Sequence, residues 1–130
     1  MAWTFSNYDD EDASNVLASI DSRLNGLSNN EAVTAKVGLS DQRHGHSYGV
    51  VFYNSGAGTP LPYTLTGAWN KKIFTWEHND QYVGSFGDIA TFLNGETQEN
   101  LTPTQAAYAH FCMSDYESGT ATGTVFWQDP

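Results

Sequence analysis

The sequence predicts an α+β fold, a single domain over residues 1–130 with an antiparallel or mixed sheet of about five strands and about three helices packed on it. Three observations lead there. Strand-like alternation of apolar and polar residues is clustered between residues 33 and 76. Helical periodicity appears before that cluster and again after residue 85. No helix-period segment separates successive strand candidates, as a doubly wound sheet would require.

The expected order is α-β-β-β-β-α-α-β. After a short aromatic lead (Trp3, Phe5, Tyr8), Val16, Leu17, Ile20, Leu24 and Leu27 recur at helical spacing, with a stop near Gly26. Val33, Ala35, Val37 and Leu39 share one face of a predicted strand, and Tyr48, Val50 and Phe52 share one face of the next. The turn signals of Asn54 to Pro62 mark a loop. Two further strands, Tyr63 to Trp69 and Lys72 to His78, are expected to form a hairpin through Asn70-Lys71, setting Trp69 and Trp76 on one face.

Phe86, Ile89, Ala90 and Leu93 restore helical spacing, with Ser85 as the cap and Gly95 at the closing turn. Thr102, Pro103 and Gln105 spell a capping box with proline in the first turn, and the helix they open is expected to run to about Tyr116. Thr120 to Trp127 reads as a closing strand.

Charge narrows the function. There are 15 acids against 5 bases, and after Lys72 every charged residue is acidic. Such a field repels nucleic acid and anionic lipid and speeds encounter with basic partners. The chain is nevertheless only 15% charged and 14% aromatic, with many Gly, Ser, Thr and Asn. Neutral polar groups with Tyr and Trp suit extended contact surfaces, although a β-rich core uses aromatics as well. The start, Met1 to Phe5, has neither the basic nor the apolar stretch of a secretion signal, and no run of 18 apolar residues occurs. With a single cysteine, Cys112, the expectation is a cytoplasmic protein without an internal disulfide, located in the host cytoplasm or the virion if viral.

The residues with chemical potential are few. His44-Gly45-His46 followed by Tyr48 resembles the zinc-binding element of the 6-pyruvoyl-tetrahydropterin synthase family, over about seven residues. That family takes its third zinc ligand from an earlier histidine and its nucleophile from a cysteine just upstream. Here no histidine precedes His44, and the upstream residues are Leu39-Ser40-Asp41-Gln42-Arg43. The family's activity is therefore not carried over, and His44 and His46 are read as loop histidines.

A zinc site would need further ligands from His78, His110, Cys112 or a carboxylate, and no short spacing supplies them. His110 and Cys112, two residues apart on a predicted helix, would lie on different faces. Gly56-Ala57-Gly58 lacks the lysine of a phosphate loop, and Gly84-Ser85-Phe86-Gly87 lacks the spacing of a nucleophile elbow. Neither a catalytic constellation nor a cofactor is expected.

The interaction candidates are the acidic run Asp9, Asp10, Glu11 and Asp12, the aromatics Trp69 and Trp76, and the acids Glu77, Asp80, Asp115 and Glu117. The acidic run also sits where carboxylates cap a helix and oppose its dipole. These features lead to the expectation of a non-enzymatic protein that contacts a protein partner, either itself or a basic protein, without touching nucleic acid or membrane. A structural or assembly component of phage or mobile-element type comes first. An acidic anti-defence inhibitor that mimics nucleic acid is the alternative, followed by a small-ligand binder stacking on Trp69, Trp76 or Trp127.

Overall fold

The computed structural model describes residues 3–41, 47–54, 65–76, 82–95, 101–113 and 121–130. Ten elements follow one another: β1 (Trp3–Asp10), α1 (Ala13–Gly26), α2 (Asn29–Thr34), β2 (Lys36–Asp41), β3 (Ser47–Asn54), β4 (Trp69–Trp76), α3 (Tyr82–Leu93), α4 (Pro103–Ala107), β5 (His110–Met113) and β6 (Ala121–Gln128). The strands form two three-stranded antiparallel sheets, ordered β1-β3-β2 and β4-β6-β5. The fold is α+β, with six strands in two sheets among the described residues against the expected single sheet of about five.

The centre is β3, in which Val50, Val51 and Phe52 are all fully buried. Alternation sends Val50 and Phe52 to one face and Val51 to the other. Val51 meets Val16 and Ile20 of α1. Gly49 lets the helix come close, since a Cβ there would stand 2.6 Å from Val16 Cγ1 and 2.8 Å from Ile20 Cδ1. On the opposite face Phe52 packs edge-on to Phe86 of α3, with ring centroids 6.2 Å apart. α3 then reaches the second sheet through Phe92, which stands edge-on to Trp127 at 5.1 Å. Burying each such ring stabilises the fold by about 1.5–3 kcal/mol, so α3 is the joint between the sheets.

Several expectations are corrected. The aromatic lead is a strand, β1, paired with β3 from Trp3↔Asn54 to Asp10↔Ser47. Val33 belongs to a short helix, α2, whose capping box joins Ser28 and Glu31, so the strand begins only at Lys36. The expected turn lies inside a strand: Asn70 and Lys71 belong to β4 and pair with Trp127 and Phe126, while Leu65 to Ala68 are outside any strand, and Tyr63, Thr64, Glu77 and His78 lie outside the described residues. Trp69 and Trp76 therefore sit at opposite ends of β4, facing Gln128 and Ala121. Ser85 lies inside α3, which starts at Tyr82. Gly95 does close α3 in the left-handed region, with φ 71°.

The capping box at Thr102 is formed as expected, Gln105 N–H donating to Thr102 Oγ1 at 3.1 Å and Thr102 N–H to Gln105 Oε1 at 2.8 Å. The helix it opens nevertheless ends at Ala107, because Phe111 and Met113 gain more as alternate residues of β5, packed on the core, than as a continued helix.

Replacement of Gly49 by Ala is expected to cost about 1–3 kcal/mol, since α1 must move off β3. Urea unfolding of the two proteins measures it.

Candidate functional site

The two sheets meet where β2 of the first faces β5 of the second. Gly38 makes this possible: a Cβ on it would overlap Phe111 and stand 2.7 Å from Met113 Sδ. Beside this contact a cleft of about 330 Å³ opens, lined by Val33, Lys36, Val37, Tyr108, His110 and Phe111 among others.

Lys36 occupies its inner wall and is 8% exposed. Its Nζ donates to the carbonyls of Ala107 at 3.1 Å and Ala109 at 3.0 Å, and lies 4.9 Å from the centre of the Trp3 ring. Three N–H groups thus meet two carbonyls and a π face, which satisfies the amine. Burial lowers its pKa to about 8, because water is withdrawn from the charged form. A lysine so shifted is a candidate nucleophile in general. Here the amine points inward at backbone oxygens and a buried indole, so its role is to pin the α4–β5 junction to β2.

The rim of the cleft continues into an exposed surface. Val33 (66% exposed) and Val37 (40%) stand on one side. On the other, the His110 ring is 5.5 Å from that of Trp69, which is 54% exposed. The register places the outward residues of the second sheet in four rows: Trp69 with Gln128; Lys71 with Phe126 and His110; Ile73 with Thr124 and Cys112; and Thr75. No carboxylate occurs among these outward positions. Of the five large apolar residues that are exposed among the described residues, four (Val33, Val37, Trp69 and Ile73) border this continuous surface.

The sequence-derived candidates divide. Trp69 belongs to the exposed face. The acidic run instead closes the β1–α1 junction. Asp12 caps α1, accepting from Ser14 N–H at 2.9 Å and Ser14 Oγ at 2.7 Å, and the Ser14 bonds lower its pKa. Asp10 Oδ1 accepts from Asp12 N–H and Asn15 Nδ2. Asp9 and Glu11 are exposed at the same turn. Trp76 is placed by its backbone at the end of β4. Glu77, Asp80, Asp115, Glu117, His44, His46 and His78 lie outside the described residues.

His110 and Cys112 are on a strand and share its outward face, a correction to their expected separation on a helix. Trp127 is 8% exposed within the core, which removes it as a stacking platform. Among the described residues no group of three His, Cys, Asp or Glu could hold a metal ion. No helix among them is long and apolar enough to cross a membrane.

Sequence reasoning missed Lys36, Val33, Val37 and Ile73. A lysine in an alternating segment reads as solvated, and nothing local announces that Ala107 and Ala109 will face it. Comparison with protein-family models, curated proteins and solved structures finds no match.

The Lys36 shift fixes a pH dependence. Because the folded pKa lies near 8, below the ordinary 10.5, the unfolded chain binds more protons between these values. Stability should therefore rise with pH across that window, by up to about 3 kcal/mol. Urea unfolding at the two ends of the window, compared with Lys36→Met, isolates the effect: the rise should be smaller in the variant.

Proposed function

We propose that the protein is a non-enzymatic assembly component, of phage or mobile-element type, that works by contact with a protein partner through the outer face of the second sheet and the adjoining cleft rim. The observation that supports this most is the placement of Trp69 and Ile73, each about half exposed, on a face whose described outward positions hold no carboxylate, in a chain of net charge −10. Exposed apolar surface of this kind marks contact sites, and an indole beside aliphatic side chains is the usual anchor of one. An absence of charge from the centre of the patch is also what interface cores show.

The acidic-inhibitor reading draws on a different observation. Arg23 is held over Tyr53 at 4.7 Å and donates to Ser6 Oγ, while Lys36 is buried. Two of the chain's 5 bases are thus turned inward, and the outer surface is more anionic than composition implies. A basic, nucleic-acid-binding protein is the partner that surface fits.

Light scattering at ~50 mM and ~500 mM salt separates the readings, since exposed ionic contacts weaken across that range and apolar ones do not. An oligomer that persists at high salt is the expected result. A monomer at both salts would favour the inhibitor, whose binding to a basic target should fall steeply with salt.

A further inference from the structure

We infer that the outer face of the second sheet is covered by the same face of a second copy, the two sheets stacking with their strand directions reversed about a two-fold axis. The inference rests on the assembly reading and names its surface and register.

The first argument is shape. The rows run from bulky to small: Trp69 at one end, then Lys71, Phe126 and His110, then Ile73, Thr124 and Cys112, then Thr75. A two-fold axis across the strands, between the second and third rows, sets Trp69 over the partner copy's small end at Thr75. Phe126 then lies over Thr124, and His110 over Cys112. Large over small is how two faces interdigitate, and a graded face satisfies this against itself in one orientation. Lys71 would lie over Ile73 with its aliphatic stem on apolar surface and its amine directed to the rim.

The second argument is charge. Each copy carries −10, so two copies repel wherever carboxylates meet. The described outward positions of this face hold none, so pairing it brings no described carboxylates together.

The third is area. Eight residues each of β4 and β6 and four of β5 give a face of about 330 Å² in projection. That belongs to the small end of specific interfaces, so the dimer should depend on concentration. Closed two-fold pairing is also the commonest form of self-association.

Thr75 and Trp69 are both exposed, so changing them leaves the core intact. Thr75→Trp fills the space that Trp69 of the other copy needs, and should weaken the dimer about tenfold or more by sedimentation or light scattering. The exchange Trp69→Thr with Thr75→Trp moves the bulk to the other end of each face and should restore association. The wild-type dimer should also tighten as salt rises, because screening removes repulsion between like-charged copies.

Cys112 gives an independent readout. Sheets about 10 Å apart, offset by one row, bring the two thiols within reach of a bis-maleimide of about 10 Å span, while the backbones stay too far apart for a direct disulfide. Cross-linked dimer is expected from the wild type and its loss from Thr75→Trp. An oligomer that ignores Thr75→Trp and does not cross-link through Cys112 overturns this pairing while leaving self-assembly standing. A monomer at every salt and concentration overturns both.

Discussion

The burial of β3 on both faces is the constraint from which the rest of the structure follows. Antiparallel strands commonly show one face to water, and a central strand that shows neither must find two apolar layers. Here α1 covers the Val51 side, while α3 and the second sheet cover the Val50 and Phe52 side. The second sheet thereby spends its inner face, through Val125 and Trp127, on the first. Its outer face is what remains, and the apolar side chains there have no counterpart among the described residues.

Much of this was legible locally and little of it globally. α1, α3, the capping box at Thr102 and strands β3 and β6 follow from periodicity and cap chemistry within windows of about ten residues. The misreadings share one cause. Short segments such as Trp3 to Asp10 and His110 to Met113 carry too few residues for their period to speak, and pairing partners more than ten positions away decide them. The composition of Asn70-Lys71 suggests a turn, yet the continuous ladder of β4 with β6 overrides so weak a signal. Of the candidate site, the sequence announced the aromatic Trp69 and the acidic run. It also announced that the acidic run sits where carboxylates cap a helix, as Asp12 does; it could not announce that β4 would turn Trp69 and Ile73 to the same open face.

Electrostatics and packing are kept apart in this molecule. The cations that the described residues place inside are each set over an aromatic ring, Arg23 on Tyr53 and Lys36 on Trp3. Both therefore act as packing elements with a polar end, and Arg23, half-buried, still favours the charged form of Glu31. Lys36 also carries the desolvation cost of its position, visible in its lowered pKa. Two carbonyls at the end of α4 would otherwise lack that donor, which explains why a charged group is retained where an apolar one would pack.

The link between Trp3 and Asn94 reaches beyond stability. Asn94 Oδ1 accepts from Trp3 N–H at 2.7 Å and its Nδ2 donates to Trp3 O at 3.2 Å, so one side chain imitates a neighbouring strand across a separation of 91 residues. β1 is thus synthesised 91 residues before the side chain that secures its first residue. Until α3 has emerged, β1 can pair with β3 but stays untethered at its first residue, and contacts of such long range slow the search for the native state. A strand made before α3 therefore depends, for its first residue, on a side chain that directly follows α3.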